Sequence, residues 1–344
     1  MALRLHGRLF VHMTRNPLLR AAFPGGAGRK TPRSALDTRR RTRTVLPRLS
    51  EFLQQLLNGV SLGAIYALIA LGYTMVYGVL RFINFAHADV FMVGAFIGYY
   101  AGHLVPAGTL WGGLLVLAIA MIGCALLGML IERFAYRPLR SATTLNVLIT
   151  AIGVSLLLEY TGQVFFGAAP RTFPAIFPVE NFQLGQIVVS SNQLVVIAVA
   201  IVLMIVLQLI VYRTKMGTAM RAVSLNPKAA ALVGVNINIV ISFTFGLGSA
   251  LAAAGGILYA INYPSIDPLM GVMPGLKAFV AAILGGIGNI PGAALGGLIL
   301  GTVETFVSGS QWSTYKDAIA FAILIVILLF RPAGLLGKFM VEKV

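Results

Sequence analysis

The sequence predicts an all-α polytopic membrane protein with about eight to nine transmembrane helices, some short or broken. Three observations carry this expectation. The 344-residue chain is 58% hydrophobic and only 10% charged, whereas soluble domains carry about 25% charged residues. Its mean hydropathy is +0.89. Several apolar runs reach the roughly 18–20 residues that a helix needs to cross a bilayer. Cys124 is the one cysteine and lies inside such a run. It therefore excludes an internal disulfide and a cysteine-based metal site, and reads as a small packing residue.

The net charge of +16 is unevenly spread. Residues 1–50 hold eleven Arg and one Lys against Asp37 alone, and residues 51–344 hold fourteen basic residues against nine acids. The chain is thus read as a basic N-terminal extension, 1–50, before a transmembrane domain, 51–344. The extension is rich in Arg, Pro and Gly, has no run long enough to span, and lacks the apolar core of a signal peptide. Three readings stand for it: a start assigned upstream of the true one, a disordered basic tail, or an organelle transit peptide. PGGAGRKTP at 24–32 echoes a phosphate loop, but Arg29 occupies the place where glycine must precede the lysine.

Spans are expected near 53–79, 84–102, 109–131, 144–165, 190–212, 237–261, 270–286, 291–307 and 315–330. The first three read as long and clear. The seventh and eighth are short and glycine-interrupted. Alternate loops on one side hold eleven basic residues, from Arg81 to Lys343, and the other side holds Arg171, Lys277 and Lys316. By the positive-inside tendency the eleven-charge side is expected to be cytoplasmic, with the C-terminus on it. The opposite loop 166–189, with four Phe and three Pro, reads as an interfacial loop with aromatic anchors and as part of a landing surface for an external partner.

On the basic side, Arg213–Asn236 forms a polar island in a membrane-like sequence. Asn226 is a favoured N-cap, and Pro227 suits the first helical position because its missing N–H would be unpaired there anyway. The helix is expected to continue through Lys228 to Val233, with Gly234 closing it in the left-handed conformation. A short capped helix outside the bilayer is the shape of a docking element. Lys228 is either part of that surface or an ordinary solvated charge.

No catalytic set stands out. The four histidines form no HExxH or Cys/His pattern, so no metal site is expected. Polar residues at membrane depth are the default pointers to a path. Asn84, His87 and Asp89 at the start of the second span, and Glu159 in the fourth, are the candidates for a translocation path. Asn84 and His87 would share a face if that stretch is helical. The bland reading places them at the membrane boundary, where they cap and solvate a helix start. Glu159 and Glu304 lie in the outer thirds of their spans, where lining a pore and snorkelling to the interface compete. In 284–301, Pro291 separates Gly288 from Gly292 and starts a new helix. The credible small-residue faces are Gly292 with Gly296 and Gly297 with Gly301, for packing within one subunit or between subunits.

These residues carry a resemblance. FLQQLLNGVSLGAIYALIALGYTMVYGVLRFINFAHADVFMVGAF at 52–96, ERFAYRPLR at 132–140 and MRAVSLNPKAAALVGVN at 220–236 resemble permeases of branched-chain amino acid ABC importers, the LivH type. So do GLKAFVAAILGGIGNIPGAALGGLILGTVE at 275–304 and the ending from Ser313. The resemblance covers nearly all of 51–344 and implies the ABC-importer permease fold, in a bacterial inner membrane. It implies a transport subunit rather than an enzyme, without a cofactor of its own, since ATP would be bound by a partner. The implied partners are a homologous second permease, two cytoplasmic ATPases and an external substrate-binding protein. The bilayer is its surrounding, and no nucleic-acid partner is expected. It implies an ATPase-coupling signature at Arg221, Ala222, Asn226, Pro227, Lys228, Ala229, Ala230, Ala231, Leu232, Val233, Gly234, Val235 and Asn236. The family often carries two acidic residues where this chain has Leu225 and Asn226. Branched-chain amino acids are the expected cargo. Urea or short-chain amides are the alternative within the class, and a stand-alone secondary transporter or channel the alternative outside it.

Overall fold

Eleven α-helices account for most of the backbone in the computed structural model, which describes residues 34–140 and 142–337, with side chains from Leu49 onward. They are α1 (Ser34–Leu80), α2 (His87–Gly102), α3 (Leu110–Ile131), α4 (Thr144–Phe166), α5 (Ser191–Arg213) and α6 (Lys215–Leu225). α7 (Pro227–Leu232), α8 (Ile237–Asn262), α9 (Val272–Gly285), α10 (Ile290–Ser308) and α11 (Lys316–Phe330) follow. The phosphate-loop echo at 24–32 and most of the basic extension lie outside the described residues. The described residues from Arg48 onward form one compact unit, and of the segment before it only the helical backbone from Ser34 is described.

The all-α polytopic expectation holds, and one span needs correcting. Among the described residues, seven helices are long and apolar enough to cross a membrane, including α10, while α9 is shorter. α2, expected among the long spans, has 16 residues, about 24 Å at 1.5 Å per residue. Its start is delayed because Arg81 leaves α1 with φ 57°. The chain then turns without helical pairing until His87.

From Gly59 to Leu80, α1 is apolar almost all round, and such a helix must be surrounded. Within Leu49–Leu80 its most apolar window is 94% buried, whereas that of α11 is 6% buried. Small residues let its neighbours approach. A Cβ on Gly63 would lie 2.7 Å from Leu298 Cα, and one on Gly59 2.8 Å from Thr302 Cα. Both glycine faces of α10 pack within this chain: Gly297 and Gly301 meet Ala67 and Gly63 of α1, and Gly292 and Gly296 meet Gly285 and Ala281 of α9. Asn289 caps α10 by accepting the Gly292 N–H at 3.2 Å, and Pro291 follows in the first turn. α8 packs along α2 and α3, and α9 along α10. α3, α4 and α5 turn apolar faces outward.

The loop 166–189 departs from the anchor reading. Phe173 and Phe177 are buried, Phe177 against Gly113 of α3 and Phe173 near Gly98 of α2. Phe166 stacks on Phe96 with ring centroids 4.3 Å apart. Of the four, only Phe182 is exposed; it lies in β2 (Asn181–Leu184), which pairs with β3 (Ile187–Ser190) as an antiparallel hairpin. The other rings plug this end of the helix bundle because apolar slots between α2 and α3 are open to them. Two further short strands, β1 (Arg171–Thr172) and β4 (Ser265–Ile266), pair antiparallel and tie this loop to the turn after α8.

Candidate functional site

At one end of the bundle the polar island folds into two helices rather than one. Thr214 accepts the Gly217 N–H at 3.1 Å and caps α6, a helix that spacing alone did not reveal because it is short and mixed. Asn226 then caps α7 by accepting the Ala229 N–H at 3.0 Å. At the other end Gly234 stands at φ +86°. Its N–H donates to Ala231 O, and that of Val235 to Ala230 O, each at 3.0 Å. That double pairing is a Schellman stop. Asn236 accepts from Asn238 and Ile239 and starts α8. α7 is therefore held by a side-chain cap at its start and by backbone geometry at its end, and a short capped linker joins it to α8.

The signature residues separate by exposure. Ala230 is buried and Ala222 and Val235 are half-buried, whereas Asn226, Pro227, Lys228, Ala229, Ala231 and Gly234 face outward. Leu225, Leu232 and Val233 are 77%, 89% and 78% exposed. Arg221 folds back, donating to Val211 O and lying over the Tyr212 ring. Its guanidinium thus secures α6 to α5. A cavity of about 450 Å³ opens beside α7, lined by Arg81, Phe82, Tyr136, Arg140, Leu225 and Pro227 among others.

The four candidate path residues fall into separate environments. Asn84 precedes α2 and His87 opens it, so the two do not share a helix face as expected. Neither caps the helix: α2 starts without a side-chain cap. Asn84 is buried and accepts the Tyr136 hydroxyl at 2.6 Å. His87 is buried with Nε2 3.2 Å from Ile69 O, against the Tyr73 ring. Asp89 accepts the Ser155 hydroxyl at 2.5 Å, and Glu159 lies beside it, half-buried, between α2 and α4.

The opposite end of the bundle holds a constellation that sequence reasoning did not assemble. Lys277 Nζ in α9 lies 2.5 Å from Glu304 Oε1 in α10 and 2.6 Å from Asp317 Oδ1 in α11. Tyr66 of α1 donates to Glu304 Oε2 at 2.8 Å. Glu304 thus neither snorkels nor stands alone; it is buried and paired. These groups border a cavity of about 620 Å³. Lys277 had been counted with the loop charges, and Asp317 had not been singled out. Partners 27 and 40 residues apart leave no periodic trace.

A bundle of spanning helices with glycine-packed cores, polar groups held at depth and a rigid polar helix at one end defines a polytopic transport subunit. The chain belongs to the family described as branched-chain amino acid transport system / permease component, whose model matches residues 55–328. It is 42% identical over 308 residues to the high-affinity branched-chain amino acid transport system permease protein BraD of Pseudomonas aeruginosa, covering 87% of this chain and all of the relative. It is 42% identical over 307 residues to LivH of Escherichia coli, covering 85% and 98% of the two chains. A probable branched-chain amino acid permease LivH of Methanocaldococcus jannaschii is 31% identical over 292 residues, covering 78% and 88%. No solved structure matches the chain.

Proposed function

We infer that this chain is one permease half of an ATP-driven importer that carries branched-chain amino acids across the cytoplasmic membrane. A homologous permease completes the pore, two ATPases bind on the cytoplasmic side, and an external binding protein delivers the cargo. The charge asymmetry supports a cytoplasmic island and C-terminus. The relatives named for this transport support the cargo.

The observation that carries the coupling role is α7 itself. It is a rigid six-residue helix that leaves Leu232 in solvent, flanked by the equally exposed Leu225 at the end of α6 and Val233 just after α7. Exposed apolar side chains on a capped element suit insertion into a partner's cleft. Asn226 spends its side chain on the cap, so the missing acidic pair at 225–226 leaves an apolar rather than a carboxylate contact. Only four residues separate α7 from α8, the last of them the cap Asn236, so motion at the cleft is passed to a spanning helix. Lys228 adds charge complementarity, which favours the rate and specificity of docking more than its affinity.

The test uses Leu232→Asp together with Val233→Asp. Both side chains are exposed, so the permease should reach the membrane folded. ATPase co-purification and leucine uptake should both fall to background. Retained co-purification with retained uptake would overturn docking through α7, and uptake of urea in place of leucine would overturn the cargo. Ala230 is unsuited to this test because it is buried, and a carboxylate there would disturb the fold itself.

A further inference from the structure

We propose that the chamber around Lys277, Glu304 and Asp317 is a recognition subsite for the zwitterionic head of a free amino acid on its way through the permease. The proposal rests on the transport reading above and deepens it.

Stability does not account for this cluster. A buried ion pair gains little over well-packed hydrocarbon, because desolvation offsets the attraction. Charges at membrane depth are expensive and mark paths. Here the Lys277 and Glu304 side chains are 5% and 6% exposed, yet the Asp317 side chain, also on Lys277, is 39% exposed. One carboxylate thus holds the ammonium from inside and a second holds it from the mouth. The cavity beside them, about 620 Å³, falls in the range of roughly 300–1,000 Å³ typical of small-molecule sites.

The charges of the wall select the ligand. Lys277 and Lys316 balance Glu304 and Asp317. A lone cation or anion entering would leave the wall unbalanced, and a neutral amide would form no ion pair. A zwitterion preserves the balance. Its carboxylate takes the place of Asp317 on Lys277, and its ammonium takes the released Asp317. Each charge keeps an opposite partner throughout, so the exchange requires no bare ion in a low-dielectric site. Glu304 stays in place, held by the Tyr66 hydroxyl at 2.8 Å. Leu62, Met273 and Pro274 supply apolar wall beside the charged groups, where an aliphatic side chain is accommodated.

Ser308 lines the same chamber one helical turn beyond Glu304 and is exposed, so Ser308→Cys gives a reporter once Cys124 is replaced by Ser. The assembled importer carrying this pair is treated with a charged methanethiosulfonate reagent, with and without leucine. At leucine about ten times its dissociation constant, labelling should slow about tenfold, because protection follows occupancy. Leucinol, which lacks the carboxylate, and urea should not protect. Adding Lys277→Gln should abolish protection, read as the ratio of labelling rates with and without leucine in that same variant. A second background, Lys277→Met with Glu304→Leu and Asp317→Leu, keeps the volume apolar for folding and should also lose protection. Unslowed labelling in an importer that still accumulates leucine overturns the subsite, as does protection by urea or leucinol. An importer that does not accumulate leucine at all overturns the transport reading itself, and the uptake readout separates that result from the others.

Discussion

Ser242 donates to Glu132 Oε2 at 2.5 Å, tying the π-helical end of α3 to the first turns of α8. The other oxygen of Glu132 accepts from Arg140, whose second nitrogen donates to Asn238 at 2.6 Å. Glu132 is fully buried, and Arg140 keeps 23% of its side-chain surface in water. Glu132→Ala would leave Arg140 Nη2 and the Ser242 hydroxyl without their shared acceptor. Removing one partner of a fully buried pair costs about 3–5 kcal/mol. The water left to Arg140 lowers the expected loss to about 2–3 kcal/mol. Glu132→Gln retains an acceptor for Ser242 and should lose about half as much. Thermal melting of the purified permease in detergent checks both, and equal melting of the two variants would show that the charge does not matter.

The two ends of α7 are held by different physics, and so should respond differently to substitution. Asn226→Ala removes a side-chain cap and should cost about 1 kcal/mol locally. Gly234→Ala forces a Cβ into φ +86°, which costs roughly 1–2 kcal/mol. Gly234→Asn, tolerated in that region, should recover part of it. Because α7 is exposed, neither change should lower global melting by more than a degree or so, while hydrogen exchange of the amides of Ala230, Gly234 and Val235 should speed up. Faster exchange across α8 as well would mean that the island and the bundle unfold together.

What could be read from the sequence depended on how local its cause was. Asn226, Pro227 and Gly234 each act on their own backbone, and so the helix between them was legible. Pro291 marked the start of α10 for the same reason, whereas its cap Asn289 was not read from the sequence. The second span was over-read. Asn84 and His87 sit in an apolar stretch, and hydropathy does not register that Arg81 breaks the helix with a positive φ. α6 was missed because eleven mixed residues give little pattern. The chamber was illegible on physical grounds. Lys277, Glu304 and Asp317 lie on three helices, and only tertiary packing brings them together. A hydropathy scale does not separate lipid from protein interior, so it reads the buried Phe173 and Phe177 as interface anchors.

The glycine faces of α10 predict a contrast. Gly297 and Gly301 face α1 backbone at Ala67 and Gly63, so a side chain there separates the two helices. Gly301→Leu and Gly297→Leu should abolish folded permease, read as loss of a monodisperse peak in detergent chromatography. Gly153 in α4 has nothing within 4 Å of an added Cβ. Gly153→Ala should therefore be neutral or slightly stabilising, by up to about 1 kcal/mol from helix propensity. Tolerance of leucine at position 301 would show that α1 and α10 are not packed through this face.

Asn84 offers a test that separates a path residue from a structural one. Its side chain accepts the Tyr136 hydroxyl at 2.6 Å, and both groups are buried. Tyr136 also packs against Phe82 and Phe245, with ring centroids 5.1 and 5.3 Å apart. Tyr136→Phe keeps those ring contacts and removes only the donor. A buried acceptor left without a partner costs about 1–3 kcal/mol, and pairs inside membranes average nearer 0.6 kcal/mol. Melting should therefore fall measurably in Tyr136→Phe, and Asn84→Leu combined with Tyr136→Phe should recover it, since both polar groups are then gone. A wet path predicts the reverse pattern. Water would satisfy Asn84 in Tyr136→Phe, leaving stability unchanged, and the apolar double variant would transport poorly while melting normally. The double-mutant cycle on melting, read beside uptake by the assembled importer, thus decides whether Asn84 holds the turn before α2 or lines the route of the cargo.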